Sequence, residues 1–118
     1  MPLSNAAMIV GANAIRAAIG GMQLHTANPG AGGFAFRSSA PMVTPVWSVV
    51  TGDGDFGLAA PVAFTGATPN GAITWVSLWS NTSGSGTWYG NFQLSGDLTA
   101  DVSGNYTVSA LPMNGSST

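Results

Sequence analysis

The stretch Ile73-Thr74-Trp75-Val76-Ser77-Leu78-Trp79-Ser80 decides the fold class. Its side chains alternate, so that one face carries Ile, Trp, Ser and Trp while the other carries Thr, Val, Leu and Ser. A period of two residues is the period of a β-strand. Because both faces carry large apolar groups, we expect this strand to lie in the centre of a sheet.

The neighbouring segments predict further strands. Residues 81–86 are a Ser, Thr and Gly turn, and alternation resumes over Thr87–Leu94, which predicts a hairpin. We expect a second hairpin that turns at Ser103-Gly104. The other expected strands are Met22–Thr26, Met42–Val50, Phe56–Ala59, Pro61–Thr65, Leu98–Val102 and Asn105–Leu111. Seven or eight short strands at regular spacing predict a mainly β domain, either a compact β-sandwich or a jelly-roll-like barrel.

One helix precedes these strands, over residues 4–19. Ser4 is a suitable N-cap, the segment is rich in alanine, and Gly20-Gly21 ends it. Its predicted packing face contains Val10, Ala14, Ala17 and Ala18. We expect a single domain over residues 1–118, with a β-region at 22–111, a long glycine-rich loop at 27–40 and a tail at 112–118, of which residues 115–118 are expected to be loose.

Charge is scarce in this chain. Six of 118 residues are charged, the net charge is −2, and lysine, glutamate and cysteine are absent. A folded monomer of this mass exposes about 5,900 Å², or about one charge per 1,000 Å². Such a surface offers little electrostatic repulsion between copies. We therefore expect a protein built into an assembly, with a homo-oligomer such as a trimer or a ring as its simplest form.

Composition also excludes several classes of function. Two arginines without lysine cannot neutralise many phosphates, so we expect no nucleic-acid partner. No apolar run reaches 18 residues and the first residues do not resemble a secretory leader, so we expect neither a membrane partner nor export. Without cysteine there is no thiolate site. We expect no cofactor.

Two groups of residues invite a catalytic or metal-binding interpretation. His25 is the only histidine, and with serines and aspartates it could form a hydrolase site, but no nucleophile-elbow motif is present. We expect a hydrogen-bonded structural histidine. Asp53-Gly54-Asp55 could contribute to a Ca²⁺ site, yet the remaining ligands do not follow, and we expect an ordinary turn. The sequence therefore assigns no catalytic residue and no metal ligand.

The aromatic residues suggest where the protein makes contacts. Trp79, Trp88 and Tyr89 fit either the interior of a sheet or, alternatively, a surface that stacks on sugar rings. Within the long loop, we expect Phe34, Phe36 and Arg37 to anchor an interface, since aromatic residues and arginine are enriched at binding hot spots.

Four segments together resemble a family of small virion structural proteins from tailed phages of actinobacteria. They are Leu3-Ser4-Asn5-Ala6-Ala7, Gln23-Leu24-His25-Thr26-Ala27-Asn28-Pro29-Gly30, Trp75-Val76-Ser77-Leu78-Trp79-Ser80 and Gly86-Thr87-Trp88-Tyr89-Gly90-Asn91-Phe92. The resemblance implies a noncatalytic component of the virion, assembled in the host cytoplasm, with no active-site residues. Its expected role is to decorate or cement the capsid against major capsid proteins. The alternative is a minor tail or tail-fibre-like protein that contacts tail proteins, with or without binding of host-surface glycans.

Overall fold

The computed structural model describes residues 3–114, which contain one helix and five strands. The elements are α1 (Asn5–Ala18), β1 (Gly21–His25), β2 (Val62–Phe64), β3 (Trp75–Trp79), β4 (Trp88–Gln93) and β5 (Tyr106–Val108). The strands form two antiparallel sheets, one ordered β1-β3-β4 and one in which β2 pairs with β5. The predicted mainly β fold with a single N-terminal helix is confirmed, although no closed barrel forms within the described residues.

The expected central strand is the centre of the larger sheet. β3 pairs on one side with β1, in a register that aligns His25 with Trp75, and on the other side with β4, where Val76 aligns with Phe92. All five residues of β1 are buried, as are the last four of β3. Burial on both faces explains why β3 carries large apolar groups on each side.

The chain divides into two compact units. The first comprises Met1–Ala18, Val46–Val62 and Val108–Thr118, and the second comprises Ile19–Pro45 and Ala63–Thr107. The three-stranded sheet lies entirely in the second unit. Among residues 3–114, no helix has the length and apolar character needed to cross a bilayer.

Helix α1 in the first unit begins as predicted but packs through a different face. The Ser4 hydroxyl accepts a hydrogen bond from the Ala7 amide at 3.2 Å, which is an N-cap contact. However, Ala12 is the buried residue of the helix, whereas Val10 of the predicted face is 71% exposed. Arg16, one turn after Ala12, donates hydrogen bonds to the Ser48 carbonyl oxygen at 2.7 Å and the Trp47 carbonyl oxygen at 3.1 Å. These contacts orient the helix, so the predicted packing face is wrong.

Two predicted strands form only isolated bridges. The residues of 42–50 and 56–59 form only single bridges, which join Met22 with Val43, Trp47 with Leu58, and Phe56 with Met113. Pro45 lies between Val43 and Trp47 and has no amide hydrogen to donate to a ladder.

The second predicted hairpin is also wrong. β5 pairs with β2, while Thr99 forms a bridge with Ala72. The Asp101 carboxylate accepts hydrogen bonds from the Ser103 and Asn105 amides at 2.9 and 2.8 Å. A side-chain turn of this kind competes with ladder formation.

The predicted tail is tied down at its start. The Met113 amide donates to the Phe56 carbonyl oxygen at 2.7 Å, and the Phe56 amide donates to the Met113 carbonyl oxygen at 2.9 Å. These hydrogen bonds fix the first part of the tail, and the segment expected to be loose, 115–118, lies outside the described residues.

Candidate functional site

The predicted long loop, residues 27–40, is fixed against the larger sheet; we call it the arm. The Thr26 amide donates to the Phe36 carbonyl oxygen and the Ser38 amide donates to the Leu24 carbonyl oxygen, each at 2.9 Å. Beyond the arm, Met22 and Val43 exchange two further backbone hydrogen bonds. The arm and the residues after it therefore cover the outer edge of β1.

The glycine-rich half of the arm packs on β4. The Asn91 side-chain amide donates to the Gly30 carbonyl oxygen at 2.8 Å, and its oxygen accepts from the Trp88 indole nitrogen at 3.0 Å. A Cβ atom on Gly33 would lie 2.5 Å from that nitrogen and 3.2 Å from the Trp79 ring. Because Gly33 also has a φ of 71°, only glycine fits this close approach.

His25 connects the arm to the centre of the sheet. Its Nδ1 lies 2.8 Å from the Ala35 carbonyl oxygen, which can only accept, so Nδ1 carries a proton. The other ring nitrogen lies 2.7 Å from the Ser77 hydroxyl, and that hydroxyl lies 2.7 Å from the Trp79 indole nitrogen. Because the indole can only donate, it donates to Ser77, which in turn donates to neutral His25. Every polar group of this network then has a partner.

The surroundings of His25 favour its neutral form. Burial is the main cause that lowers the pKa of His25 below 6.5, and the nearby positive charge of Arg37 lowers the pKa further. The hydrogen bonds with the backbone of Ala35 and Phe36 act in the opposite direction. The neutral ring also fits the network, because its second nitrogen accepts the hydrogen bond that the Ser77 hydroxyl donates. In a protonated ring this nitrogen would carry a hydrogen and could not accept.

The distance between Ser77 and His25 is that of a nucleophile and its general base, but both side chains have 0% exposure. The Ser77 oxygen also accepts the Trp79 hydrogen bond, so this arrangement holds three chain segments together. Sequence reasoning anticipated a hydrogen-bonded His25 and missed Ser77 as its partner. The alternation of residues 73–80 predicts that Ser77 shares a face of the strand with Trp79. It does not predict that His25 lies beside Ser77, because that contact depends on the pairing of β1 with β3.

Arg37 is held between aromatic rings. Its guanidinium carbon lies 5.0 Å from the Phe34 ring centre and 5.2 Å from the Trp79 ring centre. The Phe34 ring meets Trp79 edge to face at 5.0 Å. Arg37 donates one hydrogen bond, 3.3 Å long, to the Gly84 carbonyl oxygen, while its buried Nε has no partner among the described residues. The cation is therefore stabilised chiefly by the faces of the two rings.

Phe36 adopts an uncommon backbone conformation. Its φ is 55°, in the left-handed region that bulky residues rarely occupy, and its side chain is 60% exposed. The hydrogen bond from Thr26 to its carbonyl oxygen fixes it there. Phe34 is also 60% exposed. The arm thus presents two phenyl rings to solvent from a fixed backbone, on either side of Ala35.

The three residues of the candidate glycan surface differ in accessibility. Trp79 is 1% exposed and cannot stack on a sugar in this structure. Trp88 is partly covered by the arm, and Tyr89 is 48% exposed. The structure therefore leaves Tyr89 and the open part of Trp88 for that role.

Asp53-Gly54-Asp55 forms the expected turn, in which the Asp55 amide donates to the Thr51 carbonyl oxygen at 2.9 Å. Over residues 3–114, no three His, Cys, Asp or Glu side chains come together in a group that could hold a metal ion.

Comparison with known proteins finds no matching family model, no matching curated sequence and no matching solved structure.

Proposed function

We propose that this protein is a noncatalytic structural subunit of a tailed-phage particle, where it decorates or cements the capsid through contacts between proteins. The observation that carries the proposal is the exposed Phe36 ring on a strained backbone. A residue in a sparsely populated conformation costs about 1–3 kcal/mol, and such strain is concentrated at functional sites. Burial of the ring against a neighbouring protein would offset that cost.

The character of the surface supports the same role. The chain has six charged residues for a surface of 6147 Å², and nine large apolar side chains are exposed among residues 3–114, including Phe34 and Phe36. Single exposed apolar residues are normal in monomers. Two phenyl rings on one fixed arm are less usual, because they combine apolar area with a preorganised backbone, which lowers the entropic cost of binding. The resemblance to actinobacterial phage virion proteins supplies the particle as the setting.

The noncatalytic part of the proposal is supported by the burial of His25 and Ser77. A hydrolase of this type needs its nucleophile to reach the substrate, and neither side chain has any exposed area.

Substitution of Phe36 by Asn tests the proposal, because Asn tolerates the left-handed conformation and lacks the ring. We expect the free energy of unfolding of Phe36→Asn to stay the same or rise by up to about 1 kcal/mol as the strain is relieved. Incorporation into particles, measured by quantitative mass spectrometry of purified virions, should fall by about tenfold or more.

Val102→Asn is the matched control, because Val102 is 77% exposed and lies outside the arm. It should leave incorporation unchanged. Normal incorporation of Phe36→Asn would overturn the assigned contact, and absence of the wild-type protein from purified virions would overturn the proposed function. Its quantity in separated heads and tails distinguishes capsid decoration from the alternative placement on the tail.

A further inference from the structure

β4 is the last strand of the three-stranded sheet, and no strand within residues 3–114 lies beside its outer edge. The order is β1-β3-β4, and nothing within residues 3–114 pairs with β4 on the side away from β3. The opposite margin of the sheet differs, because the arm and the residues after it cover the edge of β1.

The backbone groups at this open edge can be assigned from the register. Val76 aligns with Phe92, and the Leu94 amide donates to the Thr74 carbonyl oxygen. In an antiparallel pair, alternate residues direct their N–H and C=O groups toward the partner strand. Phe92 and Leu94 therefore face β3, while Asn91 and Gln93 direct their backbone N–H and C=O groups toward the open edge.

β4 lacks the features that usually protect an exposed edge. Its sequence, WYGNFQ, contains no charged residue and no proline. The register shift of the hairpin lies between Leu78 and Trp79, opposite the start of β4 and away from Asn91 and Gln93. An uncharged, regular edge is a template for another extended chain.

We infer that β4 pairs antiparallel with β4 of a second copy of this protein, which joins two three-stranded sheets into one of six strands. A two-fold axis through Phe92 aligns Asn91 of each copy with Gln93 of the other. The outward N–H and C=O groups of these residues then form four backbone hydrogen bonds.

The charge distribution fits a second copy. Identical strands without charge do not repel each other, so self-pairing of β4 has no electrostatic cost. The nearest acidic residue is Asp97. It lies beyond the end of β4 and follows Gly96, whose φ of 84° interrupts the extended backbone, so it is outside the segment that would pair.

Two substitutions at Gln93 isolate the backbone contribution. Gln93→Pro removes the outward N–H, a change that an edge position tolerates because the sheet of its own copy does not use that donor. Gln93→Ala removes the side chain and keeps the N–H. By sedimentation velocity of the purified full chain, we expect a concentration-dependent wild-type dimer. The dissociation constant should rise by about tenfold or more in Gln93→Pro and by less than about threefold in Gln93→Ala.

Hydrogen exchange of the wild-type protein tests the pairing without any variant that fails to fold. The Asn91 and Gln93 amides should be protected at high concentration and exchange faster on dilution. A chain that stays monomeric up to about 1 mM, or a dimer whose Asn91 and Gln93 amides exchange freely, would overturn the inference. Protection of this edge only within particles would equally overturn it, because the partner would then be a different protein.

The inference deepens the proposed structural role by naming one partner. The pairing of β4 is tested on purified protein, whereas the proposed function is tested by incorporation of Phe36→Asn into virions. Failure of one experiment therefore does not decide the other.

Discussion

The arm and helix α1 both expose apolar side chains, but the protein holds them in different ways. The helix satisfies its own backbone, buries Ala12 and leaves Val10 and Ile15 more than half exposed. The arm has no internal ladder and only a few internal hydrogen bonds, such as the one from the Ala35 amide to the Pro29 carbonyl oxygen at 3.3 Å. The carbonyl oxygens of Ala35 and Gly30 also have partners in the sheet, in His25 and Asn91. Substitutions beneath the arm should therefore lower the free energy of unfolding strongly, and substitutions on the outer face of the helix should change it little.

The largest effect is expected beneath the arm. Trp79→Ala removes the ring that packs against Phe34 and Arg37 and removes the donor to Ser77. A large-to-small change at a buried tryptophan typically costs about 3–5 kcal/mol. We expect a loss of about 4 kcal/mol in the free energy of unfolding, measured by urea titration.

Tyr89→Ala is the control for this change, since Tyr89 is an aromatic residue that is 48% exposed. Its expected cost is below about 1 kcal/mol. Equal losses in the two variants would mean that the arm does not depend on Trp79.

The second effect is a dependence of stability on pH. The pKa of His25 is lowered in the folded protein, so unfolded chains bind the proton more readily. The contribution of neutral His25 to the free energy of unfolding is fully present above pH 6.5. It is lost as the pH falls from 6.5 through the pKa that His25 has in the folded protein. One proton limits the slope to about 1.4 kcal/mol per pH unit. Urea titrations at pH 7.5, 6.5 and 5.5 should show this decline.

His25→Gln provides the control for the pH dependence. His25 is the only histidine, so its replacement removes the only side chain whose ordinary pKa lies near neutrality. The variant should be less stable at pH 7.5, and its stability should change little between pH 7.5 and 5.5. A decline as steep as that of the wild type would assign the effect to another group.

Local patterns predicted the helix, the central strand and its hairpin because each depends on nearby residues. Alternation over residues 73–80 indicated β3, and Ser4 marked the start of α1. The face on which α1 packs was not predictable, since it depends on Arg16 reaching the carbonyl oxygens of residues 47 and 48. The second hairpin failed for a similar reason, because the partner of β5 is distant in sequence.

The candidate site shows the same limit. Their place in the long loop predicted Phe34, Phe36 and Arg37 as interface anchors, which stays a prediction, and the structure exposes the two phenyl rings. The positive φ of Phe36 had no signal in the sequence, because glycine is the residue that usually marks such a position. The partner of His25 also depended on a register that no local pattern fixes.

The smallest effect is expected on the outer face of helix α1. Val10 is 71% exposed and Ala12 is 7% exposed, so glutamine at the two positions compares the two faces within the same helix. Val10→Gln should change the free energy of unfolding by less than about 0.5 kcal/mol, because glutamine is at least as good a helix former as valine. Ala12→Gln forces a larger polar side chain into a packed position and should cost about 1–3 kcal/mol. If the costs were reversed, Val10 would lie on the packing face, and the orientation that Arg16 gives the helix would be wrong.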